Sequence, residues 1–289
     1  MITVERTNHA VVTVRCDEIE AGWEGWFFLR SDAHHDSPRC DRDLEKRHLD
    51  MVVNRDAMWA DFGDLFDAMQ GRYDPRRNFD DVRPEDATSD YFDSIVLHAA
   101  EFYGPYADRC ILLGKGNHET STLKHASTDL TERLTGLINT SYLKDSDHQI
   151  YSGGYGGWVR FMFNYQSTKR TSYILRYMHG AGGRAPVTKG VIQTARQAVY
   201  LPDANVVING HNHQGYIVPL KRVRVSKRGV IYDDIQWHGR IPGYLADYGE
   251  GTEGWSVEKG HEPTPFGGLW LQFKCVGMRI EVKLIPEFS

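Results

Sequence analysis

The sequence predicts an α/β protein built as a four-layer αββα sandwich, two mixed β-sheets packed face to face with helices outside. Three observations lead there. The first half alternates short apolar runs with helical patterns, the grammar of βα units. The second half is mostly strand-like runs separated by glycine-marked turns. Finally, five short clusters of Asp, Asn and His follow or end apolar runs, and in an α/β fold such positions converge at the sheet edge where sites are built. They are Asp32-Ala33-His34, Gly63-Asp64-Leu65-Phe66-Asp67, Gly116-Asn117-His118-Glu119, His179-Gly180 and Gly210-His211-Asn212-His213.

Taken in order, Gly25 to Ser31 is an apolar run that delivers Asp32 and His34 onto the following loop. A helical pattern comes next, with Leu44, His48, Met51, Val52, Arg55, Met58 and Trp59 near one face and Asp41 or Asp43 as its cap. Gln70 to Asp90 is polar, bears Arg72, Arg76 and Arg77, and is broken by Pro75 and Pro84, so it reads as a long surface loop. A helix through Phe92, Ile95, Val96, Ala99 and Phe102 precedes the strand Cys110 to Leu113, which runs into Gly116-Asn117-His118. Asp129 and Glu132 form a capping pair before a helix whose apolar side carries Leu130, Leu134, Leu137 and Ile138.

Beyond that point strands dominate. Trp158 to Tyr165 and Tyr173 to Met178 read as strands, the second ending at His179. Val187, Val191, Ala195, Ala198 and Val199 mark a helix, and Val206 to Ile208 a buried strand leading to Gly210-His211. Tyr216 to Val218, Arg222 to Val225 and Val230 to Tyr232 read as short strands before a terminal hairpin of Leu269 to Cys275 with Met278 to Leu284. One domain over 1–289 is expected, with a surface insertion at about 70–90 and a β-rich C-terminal part over 214–289.

The bulk composition excludes several classes. At 289 residues and 40% hydrophobic the chain has enough apolar material for a full core. A net charge of -5 argues against wrapping nucleic acid by bulk charge. Residues 1–20 carry no apolar core of signal-peptide type and no run is long enough to span a bilayer, so a soluble, cytoplasmic protein without a membrane partner is expected. Cys16, Cys40, Cys110 and Cys275 are widely spaced and read as buried or incidental thiols in a reducing compartment.

The clusters supply carboxylate, amide and imidazole but no thiolate. Oxygen ligands suit Mn²⁺ or Mg²⁺, and imidazole shifts the preference toward Mn, Fe, Co, Ni or Zn. Such a set suits a dinuclear hydrolytic centre, in which a carboxylate bridges two ions roughly 3.5 to 4 Å apart and a bridging water becomes hydroxide at neutral pH. Asp64 is the natural bridge. An isolated histidine such as His179 is ordinarily a packed or turn residue, but its place between the third and fifth clusters reverses that reading.

In this order the five clusters resemble the calcineurin-like metallophosphoesterase family, which carries Asp-x-His, Gly-Asp-x-x-Asp, Gly-Asn-His-Glu or Gly-Asn-His-Asp, a separate His and Gly-His-x-His. All are matched over Asp32 to His213. The resemblance implies the αββα fold and two divalent ions, Mn²⁺ foremost, with Fe, Zn, Ni, Co or Mg as alternatives. It implies that Asp32, His34 and His213 hold one metal, that Asn117, His179 and His211 hold the other, and that Asp64 is shared. His118 would then stabilise the transition state or protonate the leaving oxygen, and Asp67 would orient His118 or a ligand. His35 falls outside the pattern and reads as a surface or outer-shell residue.

The expected partner is a phosphate ester, with nucleotides or nucleic acid as candidate forms; the oligomeric state is left open. The serine/threonine phosphatase branch shows Asp-Arg-Gly after its second motif and Arg before Gly-Asn-His-Glu, where this chain has Asp67-Ala68-Met69 and Lys115. That departure tilts away from a protein phosphatase, and the closing Gly-His-x-His is more like the branches that hydrolyse phosphodiesters, nucleotides or nucleic acid. A phosphodiesterase or nuclease is therefore favoured over a phosphomonoesterase or protein phosphatase; a non-catalytic metal-containing binding module is the reading from another class. Arg72, Arg76 and Arg184 are candidate contacts for substrate phosphate, with a solvated loop as the alternative. Arg222 and Arg224, on one face of a basic run, form either a nucleic-acid track or a protected edge strand, and the edge strand is favoured.

Overall fold

Strand formation begins earlier than the apolar runs suggest. In the computed structural model, which describes residues 2–69, 82–167, 169–183, 187–188, 190–246, 248 and 255–289, β1 (Ile2–Asn8) and β2 (Val11–Ile19) form an antiparallel hairpin. In β2, Val12, Val14 and Cys16 are buried in strand alternation. Thr13 and Arg15 between them break the apolar run.

β3 (Glu24–Arg30) leads into the first site loop and α1 (Arg42–Asn54) follows. Asp41 caps α1, its carboxylate accepting from Leu44 N at 2.9 Å. The helical pattern, expected to reach Met58 and Trp59, stops at Asn54. Asp56 turns left-handed at φ 51° and Ala57 N donates back to Val52 O, which ends the helix. Met58 and Trp59 belong instead to β4 (Met58–Asp61). Of the expected insertion at about 70–90, residues 70–81 lie outside the described residues. In the remainder Asp86 is buried and its carboxylate accepts from Ser94 Oγ at 2.8 Å.

α2 (Tyr91–Tyr103) and β5 (Cys110–Leu113) occur as expected. α3 (Asn117–Ala126) was not anticipated, since its sequence has no apolar stripe. α4 (Leu130–Ser141) is capped by Asp129, which accepts from Glu132 N. After β6 (Tyr151–Ser152) come β7 (Gly156–Tyr165), β8 (Arg170–Met178), α5 (Val191–Tyr200) and β9 (Val206–Asn209). The expected strands Tyr216 to Val218 and Arg222 to Val225 are one strand, β10 (Tyr216–Val225), across Pro219, which an edge strand tolerates. β11 (Ile231–Arg240) is longer than expected, and β12 (Gly267–Val276) with β13 (Arg279–Phe288) forms the terminal hairpin.

The seven-stranded sheet runs β1-β2-β7-β8-β9-β11-β10 and the six-stranded sheet β13-β12-β3-β4-β5-β6. Both mix parallel and antiparallel pairs. Val14, Phe161, Leu175 and Ile208 of the first pack against Phe27, Leu29, Leu271 and Phe273 of the second in one buried cluster between the sheets. On the outer face of the six-stranded sheet, Phe28, Trp59 and Trp270 meet Leu49 and Val52 of α1, Ile95 and Ala99 of α2, and Leu134 and Ile138 of α4. α5 lies against the outer face of the seven-stranded sheet, with Thr194 Oγ1 3.1 Å from Tyr216 Oη. The four layers of the expected sandwich are therefore present. Among the described residues, no helix is long and apolar enough to cross a membrane.

Of the residues that mark α5, Val191 and Val199 are exposed, while Thr194 and Gln197 are buried. The sheet surface beneath it presents Tyr216 and Gln236, so contact there is made through polar groups. β10 is an edge strand, as favoured. Arg222 Nε and Nη2 each donate to the Asp234 carboxylate at 2.7 Å, and Arg224 reaches the same carboxylate at 3.2 Å. All four cysteines are free and buried.

Candidate metal centre

All five clusters sit at the C-terminal ends of strands: β3, β4 and β5, mutually parallel, in one sheet, and β8 and β9, parallel to each other, in the other. Side chains from both sheets meet there. The Asp32 carboxylate accepts from His211 N at 3.0 and 2.9 Å, joining the two sheets through the site itself.

The loops are tightly wound. Asp32, His34, Asp64, His211 and His213 have φ of 55°, 48°, 51°, 77° and 54°, the left-handed region that residues other than glycine seldom adopt. Backbone strain of this kind costs about 1–3 kcal/mol per residue and persists where the surroundings over-determine it, characteristically at functional sites. The motif glycines allow close approach: a Cβ on Gly116 would collide with the Asp64 carboxylate, and one on Gly210 with that of Asp32.

Two groups of potential ligands follow the expected division, and a third, of His34, Asp64 and His118, overlaps both. Asp32, His34 and His213 bring one ligand atom each within 4.8 Å of one another, and so do Asp64, His179 and His211. Asn117 joins the second group: its Oδ1 lies 2.6 Å from His211 Nδ1 and 3.2 Å from His179 Nε2. Asp64 Oδ2 is 3.0 Å from His179 Nε2 and 3.8 Å from His118 Nε2. The structure thus brings together the seven residues that the resemblance named as ligands.

A cation fits this donor set. His34 Nδ1 donates to Asp67 Oδ1 at 2.8 Å, and its Nε2 is buried with no hydrogen-bond partner. A buried ring nitrogen without a partner is costly unless a metal or proton occupies it. Burial by itself would lower His34, but the hydrogen bond and charge of Asp67, with Asp64 and Asp32, raise it to about 10. His179 is raised to about 9 in the same way, burial being outweighed by Asp64 and Asp32. Asp64 lies well below the usual carboxylate range, because His179, His118 and His34 overcome its burial. The cluster is electrostatically incomplete without cations. Protons supply them when metal does not.

A pH dependence follows. Both histidines lie above the unfolded value of about 6.5, so they stabilise the metal-free fold fully below that pH. Their contribution is lost as the pH rises through about 9 and about 10. In chelator-treated protein Tm should fall across that window, and added Mn²⁺, replacing the protons, should flatten the fall. A metal-free Tm insensitive to pH there would contradict the clustering.

His118 and Asp67 sit beside both groups. His118 Nδ1 is 2.6 Å from Asp67 O, and because a carbonyl only accepts, Nδ1 carries the hydrogen and Nε2 is turned toward Asp64. Asp67 therefore orients His34 with its carboxylate and His118 with its carbonyl. Motif reading did not assign two supporting carboxylates. Glu119 accepts from Gly116 N at 2.7 Å, Phe66 N at 2.9 Å and Asp64 N at 3.1 Å, stapling the second cluster to the third. Burial, with Asp64 nearby, pushes it up to about 7. Asp36 accepts from Asp67 N and Ala68 N. Glu119 had a signal in its place three residues into a helix; Asp36 had none.

His35 is neither a surface residue nor an outer support of the centre. It is buried and its Nδ1 donates to Glu45 Oε2 at 2.8 Å, within an ionic network in which Arg30 Nε donates to Asp61 at 2.9 Å and Arg30 also pairs with Glu45. That network ties β3 and β4 to α1 below the site. The candidate phosphate contacts Arg72, Arg76 and Arg184 lie outside the described residues.

No family model matches the chain, and no curated protein matches its sequence. Among solved structures it is similar to a conserved protein described as a predicted phosphoesterase from Streptococcus pneumoniae, with 11% identity, covering 91% of this chain and 90% of that one at a TM-score of 0.32. It is also similar to Vps29 complexed with zinc from Entamoeba histolytica, with 8% identity, covering 90% and 98% at a TM-score of 0.37. A protein assigned as a 5′-nucleotidase from Staphylococcus aureus matches with 12% identity over 92% of this chain and 55% of that one, at a TM-score of 0.42.

Proposed function

We propose that this protein is a dinuclear metal-dependent phosphoesterase of the calcineurin-like kind that hydrolyses phosphodiesters in preference to monoesters. The observation that carries the reading is the meeting of two three-residue ligand groups and a histidine fixed through its Nδ1 at one edge of the sheets. Asp32, His34 and His213 would hold one ion, Asn117, His179 and His211 the other, and Asp64 would touch both. Two bound divalent ions supply an activated water and positive charge for the phosphate. Nitrogen and oxygen donors without sulfur suit Mn²⁺ best and are compatible with Fe, Zn, Ni, Co or Mg.

The protein's own residues account for the remaining chemistry. His118, held through Nδ1, presents Nε2 to the site, from which a proton would be delivered to the departing oxygen. Asp67 keeps that ring and His34 in register. The diester preference is supported by Asp67-Ala68-Met69 and Lys115, which stand where a phosphoprotein phosphatase carries arginines.

A polynucleotide track along β10 receives less support. Arg222 is spent on Asp234 and on the carbonyls of Pro202 and Ala204. Arg222→Ala should cost about 1–3 kcal/mol of stability, as the loss of charged hydrogen bonds does, and leave the salt dependence of polynucleotide binding unchanged. A shallower salt slope in the variant would restore the track.

The decisive assay uses protein reconstituted with Mn²⁺ against matched aryl mono- and diesters, cyclic nucleotides and DNA or RNA. The diester should turn over faster than its monoester. A clear monoester preference would overturn the diesterase reading and leave the dinuclear one standing, whereas no hydrolysis of any ester would point to a binding module.

A further inference from the structure

Asp36 lies outside every cluster that resembles the family, yet its carboxylate is buried among donors that converge on it from two other segments. One oxygen accepts from Asp67 N at 2.6 Å; the other accepts from Ala68 N at 2.9 Å and from the Tyr91 hydroxyl at 2.6 Å. No hydrogen bond or ion pair of Asp36 to a cation is present among the described residues. A buried carboxylate whose hydrogen bonds come from neutral donors is expensive to keep, so its effect on what it grips matters.

What it grips is the turn that carries Asp67. Ala68 is left-handed at φ 50°, a conformation the segment must be held in. With the turn fixed, the Asp67 carbonyl meets His118 Nδ1 at 2.6 Å and the Asp67 carboxylate meets His34 Nδ1 at 2.8 Å. We propose that Asp36, steadied by Tyr91, is a positioning residue that sets the orientation of the His118 ring through the backbone of Asp67. The proposal rests on the functional reading above, in which His118 protonates the leaving oxygen.

Asp36→Asn isolates this role. The amide oxygen can still accept from Ala68 N and Tyr91, but the amide NH₂ then faces Asp67 N, donor against donor, and the turn must shift. Tyr91→Phe is a milder second variant that removes one donor and keeps the carboxylate.

Two readouts are required. In the reconstituted enzyme, Asp36→Asn should lower kcat by about 10-fold or more for a diester with a poor, alkyl leaving group, a partial version of losing an acid catalyst. It should change kcat far less for a nitrophenyl diester, with KM little altered for both. Tyr91→Phe should show the same split, smaller. In metal-free protein, the downfield proton resonance of the His118 Nδ1–H to carbonyl hydrogen bond should shift or broaden in Asp36→Asn. A uniform loss across both leaving groups, or no loss, overturns the proposal, whatever the resonance does. If the unaltered enzyme hydrolyses neither ester, the functional reading falls instead, and the resonance alone then decides: unchanged, it refutes the coupling of Asp36 to His118; shifted, it upholds it.

Discussion

Asp64→Asn should release both metal ions. The substitution preserves shape but removes a carboxylate that groups with His34 and His118 on one side and with His179 and His211 on the other, 3.0 Å from His179 Nε2. Asp64 is also held in its charged form, since His179, His118 and His34 overcome its burial. Losing even an outer-shell partner typically costs about 10- to 100-fold in metal affinity, so losing a shared anionic ligand should cost at least about 100-fold for each ion. Elemental analysis after gel filtration should fall from two ions per chain toward none, with hydrolysis falling in parallel. Retention of one tightly bound ion would show that Asp64 serves a single metal.

His118→Gln should have the opposite signature, with chemistry lost and metal kept. His118 donates through Nδ1 to the Asp67 carbonyl and stands beside both ligand groups, with Nε2 3.8 Å from Asp64. Removing a positioned acid typically lowers kcat about 10²- to 10⁴-fold. The loss should shrink for esters whose leaving groups need little protonation, and metal content should persist. If the metals leave as well, His118 is a ligand, which its place in a group with His34 and Asp64 makes a real alternative to exclude.

Several elements were legible because the signal for each lies within a few residues of itself. Asp41 and Asp129 announce the starts of α1 and α4, and their side chains do accept from the backbone three residues on. The four buried residues of β5 and those of β9 stand out as short apolar runs. Thr13 and Arg15, which break the apolar run between Val12, Val14 and Cys16, concealed β2, and the absence of an apolar stripe concealed α3. Met58 and Trp59 continue the helical period of α1 by coincidence. What removes them is Asp56 in a left-handed conformation, which periodicity does not encode.

The candidate ligand residues could be picked out from the sequence because the chemistry is local in type: Asp, Asn, His and their glycines recur at strand ends in a fixed order. Their division into two groups depends on parallel strand ends from two sheets being brought together, as when Asp32 accepts from His211, 179 residues away. The same holds for the supports. Glu119 staples loops more than 50 residues apart, and Asp36 reaches Asp67 across 31. His35 turned out to serve the buried Arg30 and Glu45 network, and Arg222 an ion pair with Asp234. By itself, then, the sequence determined which atoms are available to bind metal and where strands and capped helices begin, since those depend on residue type and short spacing. Only the tertiary structure decided which donors lie close enough to share a cation, which histidine nitrogen faces the site and which charges are already neutralised, because each of these is a distance between segments that the chain's own spacing does not contain.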